Sequence, residues 1–427
     1  MPLDCCQRQD NLPTPELQPA RERTFVASTT LESMSGKADD SFGRSRQRLD
    51  GVDLLRGLAI LAVLLNHVNM RLVLGHIHYG SALPPSLLAL LVWNGQHGVQ
   101  MFFAISGFLI TSISLGRWAD LSGVRVLDFY RLRFARIAPL LLLLLLVLAT
   151  LDLARTENYV ISAQSGGLGA ALLAALTFRV NVLEARHGYL PGSWDVLWSL
   201  SVEETFYFFF PLLCRFLGGS KRLFIAVLLT FVALGPVART VFSQGNEVWH
   251  EYSYLGGMDA IALGCLTALG LGALRLGRRG RWLSGLAGAS MLALSLTLTI
   301  SPLARAGLDM TVVAIGTCLA IAAFAESGWR APVVFRPLTQ LGERSYEIYL
   351  THMFVVFALF QLFLRAGKPP EAVPLLFATV ILAAGLIGAL TARLYSEPLN
   401  RLLRARWRRV RVAVDSARPV HTLPEGY

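Results

Sequence analysis

Charge is scarce in this chain. Only 16% of its 427 residues are Asp, Glu, Lys or Arg, against about 25% in soluble domains. That shortage excludes an ordinary water-soluble globular protein. Acidic residues are the scarcer sign, and the formal net charge is +11. The basic residues fall between apolar runs with no interleaved aromatic platform, which argues against nucleic-acid binding. Cysteine is sparse too. Cys5 and Cys6 lie near the start and Cys214, Cys265 and Cys318 lie in apolar segments, so neither a disulfide framework nor a metal-ligand spacing is present. Residues 1–45 hold no apolar stretch of signal-peptide type. A serine nucleophile is disfavoured because no G-x-S-x-G elbow surrounds Ser106.

What is abundant is leucine-rich apolar sequence. Hydrophobic residues make up 54% of the chain, in runs of about 20 residues that each suffice to cross a bilayer as a helix. The expected fold is all-α, a polytopic transmembrane bundle. Spans are expected near 52–74, 90–115, 139–153, 198–216, 223–242, 255–275, 282–301, 308–326, 345–364 and 373–394. That is ten crossings, with both termini cytoplasmic because arginines then collect on one side. The short apolar stretch 168–180 would upset this alternation if it crossed, so a re-entrant or half-spanning segment is expected there. Residues 1–45 read as a disordered polar tail, 46–400 as the membrane domain and 401–427 as a basic cytoplasmic tail, with no soluble domain at either end. Either Met1 or Met34 can open the chain.

The stretch Val52–Val68 stands out. Arg56 and His67 interrupt an apolar run and are 11 residues apart. At ~100° per residue this is three turns plus ~20°, so both leave one face of one helix, ~16 Å apart along its axis. Polar matter is expected along that face, because intramembrane charge is costly.

Other polar residues in apolar sequence extend the pattern. Glu203 and Glu204 lie in WSLSVEETFYFFFPLL, and Glu203 shares a helix face with Ser199 and Tyr207. Counting from the expected helix ends puts Glu203 and Asp259 at the outer-half depth of His67, where a neutral imidazole paired with a carboxylate can take a proton from a hydroxyl. The same counting puts His352 lower, at the level of Arg56 and Ser106. Arg133 and Arg136 are expected in a cytoplasmic basic segment, on one helical face and suited to phosphate. Positive-inside charge and anionic-lipid contact account for Arg125 and Arg131. Buried acids can also be plain helix–helix ties, and Gly107 beside Ser106 can simply allow close packing.

These motifs, in this order and spacing, resemble the membrane-bound acyltransferase type 3 family, bacterial enzymes that O-acylate sugars and surface polysaccharides. DLLRGLAILAVLLNH carries an Arg-x10-His pattern. GVQMFFAISGFLIT, the Arg-x-x-Arg at Arg133 and Arg136, Trp-Ser-Leu-x-x-Glu ending at Glu203, GMDAIALG, SYEIYLTH and SEPL follow. Relatives often carry Arg where Gly257 stands here, which puts an Arg–Asp tie at Asp259 in doubt. An appended SGNH-type hydrolase domain, which some relatives carry, is not expected here.

The resemblance implies a multi-pass enzyme of the bacterial inner membrane. It would move an acyl group, most often acetyl, from cytosolic acyl-CoA to a hydroxyl of a carbohydrate or glycolipid acceptor. No tightly bound cofactor or metal is implied, and no oligomeric state. His67 would be the general base, assisted by Glu203. Arg56, Ser106, Arg133 and Arg136 would serve the donor. Trp198, Ser199, Asp259, Tyr349 and His352 would serve the acceptor or support the site, with Trp194, Trp198 and Tyr189 placed to stack on a sugar or to sit in an aromatic belt. The rival reading is a secondary transporter using the intramembrane His, Glu and Asp as a proton relay. It lacks the two-half repeat such proteins often show.

Overall fold

The computed structural model describes residues 49–80, 84–297, 301–325, 327–367 and 369–416. The expected tail 1–45, with Cys5, Cys6 and Met34, and the last part of the basic tail, 417–427, lie outside the described residues. Among the described residues every regular element is helical.

The chain opens on α1 (Asp50–Leu74), with Asp50 and Asp53 in its first turn and Arg71 in its last, an order that complements the helix dipole. There follow α2 (Pro85–Val92), α3 (Gly95–Trp118), α4 (Val126–Leu153), α5 (Gly167–Leu176), α6 (Val180–His187) and α7 (Leu197–Leu217). The second half holds α8 (Lys221–Val237), α9 (Glu247–Tyr252), α10 (Tyr254–Ala273), α11 (Arg278–Thr297) and α12 (Asp309–Ala325). It ends with α13 (Arg336–Glu343), α14 (Ser345–Arg365), α15 (Val373–Thr391) and α16 (Glu397–Ser416).

Among the described residues, eight helical stretches are long and apolar enough to cross a membrane. They correspond to eight of the ten expected spans. The stretch expected at 308–326 is α12, whose 17 residues extend only ~25 Å, short of a ~30 Å hydrocarbon core. The stretch expected at 282–301 is α11, which opens on Arg278, Arg279 and Arg281 and is not among the eight. The segment expected to half-span contains α5, whose 10 residues extend ~15 Å, half the hydrocarbon thickness.

One face of most long helices turns inward. Ile60, Val63, Leu64 and Leu72 of α1 meet Phe103 and Ala104 of α3, Leu148 of α4 and Phe206 of α7 in one buried cluster. The opposite side of the α4 leucine run stays bare, with Leu146 and Leu153 at 65% and 73% exposure, as a face turned to acyl chains would be. α3 packs very closely on α10. A Cβ on Gly107 would overlap the Ile261 carbonyl, and one on Gly264 would overlap the Ala104 carbonyl. Small residues here bring two backbones together, which is how apolar helices gain contact in lipid.

α8 ends differently from its neighbours. Pro236 lies in its last turn, and residues Ala238–Phe242 continue as a π-helical turn. Proline removes one helical hydrogen bond and crowds the preceding turn. The widened turn carries Arg239 into the interior, where it is 2% exposed.

Candidate active site

His67 lies on the inner face of α1, half-buried. Its Nδ1 is 2.8 Å from the Val63 carbonyl one turn back. A carbonyl only accepts, so Nδ1 carries the proton, and the ring in its neutral form presents its Nε2 lone pair. His352 of α14 is built the same way. Its Nδ1 is 2.7 Å from the Tyr349 carbonyl, its Nε2 has no partner, and its side chain is fully buried. The two rings meet edge to face with centroids 4.8 Å apart.

This meeting corrects the expected depth of His352, which placed it well below His67. The cause lies at the start of α14. Ser345 and Glu347 are 3% and 2% exposed, so that helix begins inside the bundle and counting from its end undershoots. One turn before His352, the Tyr349 hydroxyl meets the Ser199 hydroxyl of α7 at 2.7 Å. Both also lie against the Val196 carbonyl, at 3.1 and 3.2 Å.

Glu203 is one turn beyond Ser199 on the same face of α7, and Tyr207 one turn beyond that. The Tyr207 hydroxyl donates to Glu203 Oε1 at 2.7 Å. The Ser106 hydroxyl of α3 reaches across to both, in hydrogen bonds with Glu203 Oε1 and the Tyr207 hydroxyl. Arg133 of α4 closes the group. Its Nη2 lies 3.1 Å from Glu204 and 3.7 Å from Glu203, and its guanidinium lies 3.5 Å over the Tyr207 ring.

Glu203 and Glu204 both reach one guanidinium. Two expectations change here. Glu203 does not lie a layer apart from Arg133, because the two are in contact. Arg133 is also not a free phosphate ligand in a loop. The reason is that α4 starts at Val126 and runs unbroken for 28 residues. Arg133 is thereby carried ~10 Å along the helix, to a depth where a cation needs a carboxylate. Arg136, one turn further, pairs with Glu347 at 3.5 Å. Arg56 pairs with Asp53 at 3.3 Å and feels both Arg136 and Glu347.

Asp259 belongs to a separate group. Arg239 donates to its Oδ2 at 2.8 Å, Thr311 at 2.6 Å, and Gln100 donates to Oδ1 at 3.0 Å. Arg239 also donates to the carbonyls of Gly307, at 2.8 Å, and Gly256. The Arg–Asp tie put in doubt by Gly257 therefore exists, with Arg239 of the α8 end supplying the cation. Position 257 has no room for one, since even a Cβ there would come within 2.6 Å of Phe103 and 2.9 Å of Val202. The tryptophans also depart from expectation. Trp198 stacks flat on Tyr252 with centroids 4.0 Å apart, and Trp194 is fully buried. Neither face is open to a sugar, whereas Tyr189 is 52% exposed.

The described residues thus bring His67 together with His352 and link them through Tyr349 and Ser199 to the helix turn that carries Glu203. They bring Ser106, Glu203, Tyr207, Arg133 and Glu204 into one group, and Arg56 within electrostatic range of Arg136. They show no contact between Glu203 and His67, and Asp259 is tied elsewhere. Tyr207 was legible as an i+4 neighbour of Glu203. Arg239 and Glu347 carried the signal of a charge in an apolar span, but nothing in the sequence names their partners.

Chemically, a half-buried imidazole whose Nδ1–H is held by a carbonyl can, in its neutral form, accept a proton at Nε2. Arg56, paired with Asp53, lies toward the start of α1, ~16 Å from His67 along the axis, and Arg136 is paired with Glu347. A family model described as an acyltransferase domain, that of acyltransferase family 3, matches residues 49–393. O-acetyltransferase OatA of Staphylococcus aureus (strain NCTC 8325 / PS 47) is 23% identical over 376 residues, covering 84% of this chain and 58% of that protein. A protein of Staphylococcus aureus (strain COL) named "Putative O-acetyltransferase SACOL0978" is 26% identical over 333 residues, covering 72% of this chain and 50% of its own length. The chain therefore spans little more than half the length of these relatives. No solved structure matches. With the family model covering most of its length, and with the Arg56–His67 helix inside that match, the chain belongs to the acyltransferase 3 family.

Proposed function

We propose that this protein is a membrane-embedded O-acyltransferase. It moves an acyl group, most simply acetyl, from cytosolic acyl-CoA to a hydroxyl of a sugar or cell-envelope glycan at the bacterial cytoplasmic membrane. The observation that carries this reading is His67, half-buried, its Nδ1–H held by the Val63 carbonyl and its Nε2 left as the basic atom. The acetyl group is supported by the relatives, which are named O-acetyltransferases.

In the proposed reaction the donor's phosphates engage Arg56 and Arg136, whose remaining N–H groups suit bidentate contact. The pantetheine arm extends along the inner face of α1 past Ser106, and the thioester reaches His67. His67 Nε2 takes the proton of the acceptor hydroxyl as its oxygen attacks the thioester carbonyl carbon. The carbon–sulfur bond then breaks, and the proton passes to the departing thiolate. His352, buried beside His67, orients it. Glu203 acts from one helix turn away, holding Ser106 and Tyr207 with Arg133, and not by touching His67.

Membranes carrying the full chain and [14C]acetyl-CoA test this. Label should pass to an envelope fraction with release of one CoA thiol per group transferred, and His67→Gln should abolish both. Transfer at the wild-type rate by the His67→Gln protein, or no consumption of acyl-CoA by the wild type, would contradict it. A transporter would neither bind nor consume acyl-CoA.

A further inference from the structure

Four inward arginines each meet a carboxylate: Arg56 with Asp53, Arg133 with Glu204, Arg136 with Glu347 and Arg239 with Asp259. Arg71 does not. Among the described residues no carboxylate lies within ion-pair distance of it and no acceptor takes a hydrogen bond from its guanidinium. It stands one turn beyond His67 on the same face of α1, ~6 Å along the axis.

Its surroundings hold it inward. The guanidinium lies 4.2 Å over the Phe357 ring, and Phe357 is itself buried at 4% exposure, so the cation points into the bundle and not toward lipid. Phe357 packs edge-on against Tyr159 with centroids 5.3 Å apart. On another side Gly192 packs close by, since a Cβ there would come within 2.8 Å of Met353 and 3.4 Å of an Arg71 nitrogen. Contact with one ring leaves a guanidinium other N–H groups that can bind carboxylate or phosphate in bidentate fashion. A half-buried cation beside the proposed base, with no carboxylate at ion-pair distance among the described residues, can take an anion brought by a substrate.

We infer that Arg71 receives an oxyanion carried by the acyl acceptor, a carboxylate or a phosphate ester, and so sets the acceptor hydroxyl against His67. The acceptor class is then an acidic sugar or a sugar phosphate, lipid-linked or free. This rests on the acyltransferase reading above and adds the charge of the acceptor. The donor's phosphates are a poor match for this position. Arg71 lies 15 residues, ~22 Å, from Arg56 on one helix.

The test uses membranes with the full chain, [14C]acetyl-CoA and an envelope extract of the same cells as acceptor. The labelled product should be retained by an anion-exchange resin. Loss of retention after carbodiimide amidation identifies a carboxylate, and loss after phosphatase or mild acid identifies a phosphate. Arg71→Gln should raise the KM for extract acceptor about tenfold or more, with a smaller change in kcat and in the KM for acetyl-CoA, and Arg71→Lys should recover part of the loss. A labelled product that is neutral, or an Arg71→Gln protein with unchanged acceptor KM, overturns the inference while leaving acyl transfer standing. No transfer of label by the wild type would instead bring down the acyl-CoA reading, and the inference with it.

Discussion

His67 and His352 meet with ring centroids 4.8 Å apart, and each gives its Nδ1–H to a carbonyl of its own helix. Two imidazoles locked in the same tautomer leave two basic Nε2 atoms in one place. They differ in access, His67 being half-buried and His352 fully buried. The accessible ring is the one that can touch substrate, and the enclosed ring can only hold it.

That difference predicts unequal mutants. His67→Gln should lower acetyl transfer by about a hundredfold or more, the range of a lost general base. His352→Gln should cost about tenfold, mostly through a displaced His67. Initial rates of label transfer from [14C]acetyl-CoA check both. Equal losses would mean that the two rings share the proton transfer.

Arg133 stands between two carboxylates in the bundle interior. Arg133→Ala should destabilise the protein by about 3 kcal/mol, because removing one partner leaves buried charge uncompensated. The exposed pair of Arg125 with Asp128, 3.1 Å apart with the arginine side chain 62% exposed, is the control. Arg125→Ala should leave thermal unfolding in detergent nearly unchanged.

Arg239 and Asp259 form a tie that packs α8 and α10. Arg239→Met should unfold the protein at markedly lower temperature, by about 3 kcal/mol or more. The double variant Arg239→Met with Asp259→Leu should recover much of the loss, and its activity per folded molecule should stay near wild type. Selective loss of turnover in a well-folded double variant would move Asp259 back into the reacting machinery.

Much of α1 was legible before any coordinates, since Arg56 and His67 needed only the helical repeat to share a face. The Ser199–Glu203–Tyr207 face of α7 follows from i+4 spacing in the same way. What was not legible depends on where helices begin in depth. α4 starts 13 residues before its leucine run, so Arg133 reaches Glu203. α14 starts inside the bundle, so His352 reaches His67. Arg239 needed the π-helical turn after Pro236. Hydropathy reports how long an apolar stretch is, but not how far a neighbouring helix has slid or tilted against it.

Outside the candidate spans, Glu184 of α6 is fully buried and accepts from the Leu190 N–H at 3.1 Å. Burial, with the Asp195 carboxyl beside it, pushes its carboxyl well above the usual carboxylate range. The folded chain therefore holds this proton more tightly than the unfolded chain. The resulting stability is present in acid and is lost as pH rises from the ordinary carboxylate value toward the raised one. Glu184→Gln keeps the acceptor for Leu190 and removes the titration. Its thermal midpoint in detergent should match wild type in acid and exceed it above neutrality. A variant less stable than wild type at alkaline pH would reverse this assignment.

The central claim is that this chain places an acyl group on an envelope glycan with His67 as base. Mass spectrometry of envelope glycans and glycolipids tests it most directly, comparing cells with the wild-type chain, with His67→Gln and with no chain. One component should carry an added acyl mass only with the wild type, while His67→Gln, present in the membrane at equal amount, should match cells that lack the chain. An acyl modification that persists with His67→Gln would contradict the account.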